Sequence, residues 1–312
     1  MVSFEEKNHL DATMPRKLVG VESGPKFDYT KLRGLEHGYA VGKRIGKGGM
    51  GEVWEAVRDD GQEVVIKVTL DSAMSPDDQV EGLERFIQEG LVLEEIDSAH
   101  FPKFYETNPN NKVIVMERLR GDTLYEKLIF DRVTPGEAFH IVSEVAAGMF
   151  HAHEQGYIHR DLKPSNIFIG DDGQVKILDL GLVYLTHDKR TAKRRGTKRR
   201  ITAPGVIIGS PRYFSPEQAR GDEVRLESDV FALGCNLYEM LTGSPAFPGD
   251  DVLEVLDSIG KGNFIPLKKA RPDLPTAVTV FVNYMLQTQP THRPTMDQVS
   301  KFFKQYEGIE TS

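Results

Sequence analysis

Eight consecutive residues constrain this chain more than anything else in it. His159-Arg160-Asp161-Leu162-Lys163-Pro164-Ser165-Asn166 puts a possible base, two cations and an amide oxygen into one loop. Apolar strand patterns at Ile167 to Ile169 and Val175 to Leu178 follow, and Asp179-Leu180-Gly181 comes directly after them. Polar groups crowded between apolar strands are costly to hold together unless a ligand or a hydrogen-bond network satisfies them. The fold must therefore build a polar site at the ends of apolar elements.

The rest of the chain is ordinary enough to supply that scaffold. A length of 312 residues suggests two packed lobes, each with its own core. With 39% hydrophobic and 28% charged residues, a mean hydropathy of -0.38 and a net charge of -8, global charge gives no reason to expect a nucleic-acid or membrane partner. The single cysteine, Cys235, excludes an intramolecular disulfide and a cysteine-based zinc site, which suits a reducing compartment. Glu5, Glu6 and Lys7 stand where a signal peptide needs an apolar core, and no stretch approaches 18 uncharged apolar residues. A cytoplasmic chain without a membrane span is the expectation.

Residues 1 to 37 show neither a period of 2 nor one of 3.6 and read as an extension, partly ordered at most. From Tyr39 the pattern changes to short strands: Val41 to Ile45, Glu52 to Val57 and Glu63 to Thr69, punctuated by glycines and the Asp59-Asp60-Gly61 turn. Apolar residues at Leu83, Phe86, Ile87, Val92, Leu93 and Ile96 have helical spacing, and Lys112 to Met116 resumes strand character. After Gly121 the texture is helical, with Pro135 to Glu154 amphipathic, Val230 to Leu241 apolar nearly all round, then Thr276 to Gln287 and Met296 to Tyr306. The fold class expected is α+β: an antiparallel β lobe with one main helix, then a mostly α-helical lobe.

Two further motifs are weak alone. Gly46-Lys47-Gly48-Gly49-Met50-Gly51-Glu52-Val53 fits GxGxxGxV between two strands, where missing Cβ atoms let backbone N–H groups approach phosphate. A Gly-rich hairpin is more often only a turn. It is no dinucleotide fingerprint, because a strand follows it, and no Walker loop, because no Lys-Ser or Lys-Thr closes it. Lys67 ends the apolar run Val64-Val65-Ile66 and offers a compact cation for phosphate or carboxylate, although an isolated strand-end lysine is usually just solvated. Glu89 on the following helix is a candidate partner, with Glu84, Glu94 and Glu95 as competitors.

Taken in order, these residues resemble the eukaryotic-type protein kinase family over about residues 39 to 306. The matching features are the Gly-rich loop, Val64-Val65-Ile66-Lys67, the octapeptide, Asp179-Leu180-Gly181, Ser215-Pro216-Glu217, Ser228-Asp229-Val230-Phe231-Ala232-Leu233-Gly234 and His292-Arg293-Pro294. The wording around them is most similar to bacterial Ser/Thr kinases. The resemblance implies a bilobal kinase domain at 38–306, with an N-lobe at 38–118, a hinge near 117–120, a C-lobe at 121–306 and a tail at 307–312.

It also implies roles. Lys67 would contact ATP phosphates while pairing with Glu89, and Asp161 would be the catalytic base, assisted by Lys163. Asn166 and Asp179 would hold Mg²⁺, with Mn²⁺ an alternative. Ile45, Gly46, Lys47, Gly48, Gly49, Met50, Gly51 and Val53, with Val65, Met116, Glu117, Leu119, Phe168 and Leu178, would surround ATP. Glu217 and Arg293 would form a buried ion pair, Asp229 would cap the catalytic loop, Arg160 would meet a phosphate in the activation segment, and His159, Leu180 and Leu93 would join an apolar spine.

Departures from the pattern are few. Leu180 stands for the usual Phe, Val65 for Ala, and Ser210 for Thr; Gly90 beside Glu89 weakens its helix by about 1 kcal/mol against Ala, so that helix is expected to be mobile until nucleotide or a partner orders it. Between Asp179 and Glu217, residues 189–200 hold eight cations and no anion, so the other 300 residues carry 31 basic against 47 acidic groups. Such a run can be a solvated loop, a site for nucleic acid or an anionic surface, a localisation signal or a frame for its own hydroxyls. The last is favoured, with Thr191, Thr197, Thr202 and Ser210 as phosphorylation candidates. The expected function is a Ser/Thr protein kinase acting on protein substrates and on itself; the competing reading is a kinase-fold pseudoenzyme serving as a scaffold.

Overall fold

The computed structural model describes residues 26–48, 51–69, 76–131, 133–180, 184–185 and 211–308. The chain divides into two compact units, one of residues 1–76 and 105–118, the other of residues 77–104 and 119–312.

The first unit is a five-stranded sheet: β1 (Tyr39–Gly48), β2 (Gly51–Arg58), β3 (Glu63–Val68), β4 (Phe104–Asn108) and β5 (Val113–Glu117), in the order β1-β2-β3-β5-β4. The pairs β1–β2, β2–β3 and β3–β5 are antiparallel. Side chains alternate across a strand, so register sorts them into two faces. Trp54, Ala56, Val64, Ile66, Val68, Val113 and Val115 share the face that builds this unit's core, joined by Tyr39. Burying each Val or Ile of this set contributes about 1.5–3 kcal/mol relative to exposure. Val53, Val65, Lys67 and Met116 fall on the opposite face, where Val53 pairs with Lys67 and Val65 with Met116.

Part of the aperiodic extension joins this unit. Phe27, Leu32 and Leu35 pack on the core, Phe27 meets Trp54 edge-on at 5.3 Å, and Asn108 donates to the Arg33 carbonyl at 2.8 Å. No period announced it because its short 3₁₀ turn, Tyr29–Leu32, is held by single contacts rather than by a repeating face. At Gly51 the β1–β2 turn has a hard requirement: an added Cβ would lie 2.1 Å from the Val68 carbonyl oxygen. No side-chain adjustment relieves a clash with backbone.

The second unit is mainly helical. It contains α1 (Pro76–Glu95, from Asp77 on), α2 (Leu124–Phe130), α3 (Pro135–Glu154), α4 (Pro216–Arg220), α5 (Leu226–Thr242), α6 (Val252–Lys261), α7 (Leu267–Ala270), α8 (Thr276–Met285) and α9 (Met296–Lys304). Between α2 and α4 lie β7 (Tyr157–Ile158), β8 (Ile167–Gly170), β9 (Val175–Ile177) and β10 (Tyr184–Leu185); β6 (Gly121–Thr123) precedes α2. These strands form a three-stranded sheet, β6-β8-β9, and a pair, β10-β7.

Helix α3 starts sharply because Thr134 and Glu137 form a reciprocal capping box with Pro135 at the first helical position. Helix α5 is buried nearly all round, from Ser228 to Leu241, and ends at Gly243 in the left-handed conformation. Around it, α3 packs against α5, α9 and β9. That buried helix is the rigid element from which the loop at 159–166 hangs.

Candidate active site

Asp229 lies in the first turn of α5 and is 1% exposed. Its Oδ2 accepts the backbone N–H of His159 at 2.9 Å and its Oδ1 accepts that of Arg160, also at 2.9 Å. His153, in the last turn of α3, reaches the same carboxylate with Nε2 at 2.9 Å. Three donors thus satisfy one buried carboxylate, as burial of a charge demands.

The loop needs this support because its backbone is strained. Arg160 has φ +69° and Asp179 has φ +61°, left-handed values that cost L residues with a Cβ about 1–3 kcal/mol each. Besides its N–H, Arg160 has its carbonyl fixed by the Gln218 side-chain amide at 2.8 Å. Replacing Asp229 by Asn keeps the size but can leave only one oxygen to accept those donors. We expect it to destabilise the second unit by about 1–3 kcal/mol in urea unfolding, with a larger fall in any activity of the loop than in stability.

Inside the loop, His159 is fully buried, and Nε2 donates to the Leu178 carbonyl at 3.0 Å while Nδ1 accepts the Asp161 N–H at 3.3 Å. A neutral imidazole satisfies both bonds, one as donor and one as acceptor. Lys163 Nζ lies 2.6 Å from Asp161 Oδ2. Asn166 turns its amide nitrogen to the Asp161 carbonyl at 2.9 Å and toward Oδ2 at 3.4 Å. Leu178 N–H donates to the Asn166 carbonyl at 2.8 Å, so both sides of the loop grip the residue just before Asp179. The structure therefore gathers His159, Arg160, Asp161, Lys163, Asn166, Leu178 and Asp229 around one loop end, with Asp179 next in sequence and Leu180 buried.

A second network holds the segment leading into α4. Ser215 and Gln218 form a capping box, and buried Glu217 accepts both Arg293 terminal nitrogens, at 2.7 and 2.9 Å, plus the Ser228 hydroxyl at 2.6 Å. The Arg293 fork also donates to the Gln287 and Glu227 carbonyls and stacks 4.9 Å over the Phe231 ring. Burial works against the Glu217 charge, but the guanidinium and the hydroxyl outweigh it and hold the carboxyl below its ordinary range.

The remaining sequence candidates are placed as follows. Ile45, Gly46, Lys47 and Gly48 end β1, Gly51 and Val53 open β2, Val65 and Lys67 lie on β3, and Met116 and Glu117 close β5, all in the first unit. Glu89, buried on α1, belongs to the second unit with Leu119 and Phe168. Helix α1 runs unbroken through Gly90. Gly49, Met50, Gly181, Thr191, Thr197, Thr202 and Ser210 lie outside the described residues.

Two residues that sequence reasoning missed complete the site: His153 and Gln218. The signal for His153 was a histidine six residues before His159, in the last turn of an amphipathic helix. Nothing local distinguishes it from a solvated one until α5 supplies Asp229.

Comparison with known proteins agrees with this geometry. Residues 39–303 match the family model described as the protein kinase domain. The chain is 35% identical over 226 residues to a probable serine/threonine-protein kinase PknB of Corynebacterium glutamicum, covering 70% of this chain and 33% of that protein. It is 33% identical over 269 residues to the serine/threonine-protein kinase PknB of Mycolicibacterium smegmatis, covering 83% and 41%. With the serine/threonine-protein kinase PknL of Mycobacterium tuberculosis it shares 35% over 240 residues, covering 75% and 56%. The chain thus spans about a third to just over half of the length of these relatives. Among the described residues, no helix is long and apolar enough to cross a membrane. A buried aspartate suspending a strained loop, an Asp161–Lys163–Asn166 cluster on that loop and a family match over 39–303 lead to one conclusion: this chain belongs to the eukaryotic-like protein kinase family.

Proposed function

We propose that this chain transfers the γ-phosphoryl group of ATP to Ser and Thr hydroxyls of proteins, with Mg²⁺ as the working cation. The observation that carries the reading is the Asp161 carboxylate, held by Lys163 at one oxygen and flanked by the Asn166 amide. With Oδ2 engaged, Oδ1 is the atom to receive a substrate hydroxyl proton. Lys163, pinned beside it, neutralises charge on the transferring group. From the resemblance, Lys67 is assigned the phosphate contact and Glu89 its anionic partner; Val65, Met116, Phe168 and Leu178 are assigned to the adenine.

The donor set fits a hard divalent cation. Because Asn166 commits its nitrogen to Asp161, its oxygen remains as ligand atom, and Asp179 adds a carboxylate. A cation held by these two would neutralise phosphate charge. The test is radiolabelled phosphoryl transfer to a generic basic protein, wild type against Asp161→Asn. Equal signals would sink this mechanism and favour a scaffold.

We further propose that the chain phosphorylates its own activation segment. Arg160, whose backbone Asp229 and Gln218 hold beside Asp161, is the cation that the resemblance assigns to such a phosphate. After incubation with ATP and Mg²⁺, peptide mapping is expected to find phosphate on Thr191, Thr197 or Thr202. A segment without phosphate at all three would refute this. The single cysteine, buried and with its thiol pushed up by burial, suits a cytoplasmic setting.

A further inference from the structure

Far along α3 from the catalytic loop, the structure leaves two electron-rich atoms facing each other. Phe139 stacks on Phe303 of α9 at 5.5 Å and meets Tyr306 edge-on at 6.1 Å. These rings place the next residues of each segment together, so His140 Nδ1 lies 3.6 Å from Glu307 Oε1. Glu144, one turn along α3 on the same face, completes a triad whose ligand atoms all lie within 4.8 Å of one another.

The hydrogen bonds around this triad narrow what it can be. His140 Nε2 lies 3.4 Å from the Gly173 carbonyl, which can only accept, so the ring proton sits on Nε2. In the neutral ring Nδ1 then presents a lone pair to Glu307 Oε1, a buried oxygen that accepts no hydrogen bond from the described residues. Something positive belongs between them: a second proton or a metal ion. The cation lining the adjoining cavity of about 860 Å³, Lys127, is already paired with Glu137 at 3.4 Å.

We propose that His140, Glu144 and Glu307 bind a divalent transition metal of the zinc class, which ties the segment after α9 to α3. Ligands on a tetrahedral ion with bonds of about 2.1 Å sit roughly 3.4 Å apart, close to the observed 3.6 Å. Drawing in Glu144 from within 4.8 Å takes a side-chain movement of up to about 1.4 Å, which its partial exposure permits. Its orientation is set by His100, whose Nε2 lies 3.2 Å from Glu144 Oε2 and whose Nδ1 lies 3.3 Å from Ser98 Oγ. The His140–Gly173 and Glu144–His100 bonds are the kind of outer support that fixes tautomer and aim at metal sites. One nitrogen and two carboxylates favour zinc over magnesium, which prefers oxygen alone. The cavity offers the fourth position to water.

This site does not depend on the kinase reading. Its test is equilibrium dialysis against Zn²⁺ alone, near neutral pH and without nucleotide, followed by Co²⁺ absorption to report coordination. One ion per chain at micromolar concentration is expected, weakened at least tenfold by His140→Ala and by Glu307→Gln, and unchanged by Asp179→Asn. Glu307→Gln is isosteric and partly exposed, so far-ultraviolet circular dichroism should show an unchanged fold. Equal binding by wild type and variants, or no ion held below about 100 μM, would overturn the proposal and leave a protonated His140 paired with Glu307.

Discussion

Asp161→Asn is expected to lower kcat for phosphoryl transfer about a thousandfold while leaving the KM for ATP within about threefold. Positioned proton acceptors contribute about 10²–10⁴ in rate, and a thousandfold corresponds to about 4 kcal/mol of barrier. The loop itself should survive the change. The bonds that shape it run through the Asp161 backbone to Asn166 and His159, and through Asp229, and none needs the Asp161 carboxylate. The Lys163 pair is lost, so Lys163→Met in the Asp161→Asn background should add much less than it does alone. Steady-state kinetics at saturating ATP on all four proteins checks this. A kcat within threefold of wild type for Asp161→Asn would rule out the assigned base.

Arg293→Met is expected to produce the largest loss of stability of any single change at these networks, about 3–5 kcal/mol. The removed partner leaves the Glu217 carboxylate buried without a cation, held by the Ser228 hydroxyl and a backbone N–H. In a unit of about 220 residues, that corresponds to a fall in Tm of roughly 10 °C. Glu217→Gln with Arg293→Met should recover part of the loss, because no charge remains to bury. The pH dependence follows in sign. The Glu217 carboxyl is held below its ordinary value in the folded chain, so its contribution is full above the unfolded pKa and is lost as pH falls through the folded one. Arg293→Met should therefore lie closest to wild type in acid. Calorimetric scans at neutral pH and near pH 4 measure both effects, and a variant equally destabilised at both would contradict the linkage.

Periodicity made the long elements legible. Short apolar runs punctuated by glycines and the Asp59-Asp60-Gly61 turn announced β2, β3 and β5, an amphipathic run announced α3, and a long run apolar nearly all round announced α5. Periodicity did not announce β4, whose five residues are all half-buried. Elements with no strongly buried stripe carry no strong period. The anchoring of Phe27 to Trp54 was invisible for a related reason, since a single aromatic contact leaves no pattern.

At the site, the division follows the same physics. The sequence by itself determined the chemistry: which carboxylates, cations and amides exist, in what order, and the family that order belongs to. Residue type and local spacing are enough for that. Only the tertiary structure decided what holds the chemistry in place. Asp229 gathers His159, Arg160 and His153 across more than 68 residues of chain, and Gln218 closes on Arg160 from another segment. The same holds for Glu307 meeting His140 beside the Phe139–Tyr306 contact. Such partners are chosen by where packing of buried faces brings distant segments, and hydrogen bonds between them leave no local mark in sequence.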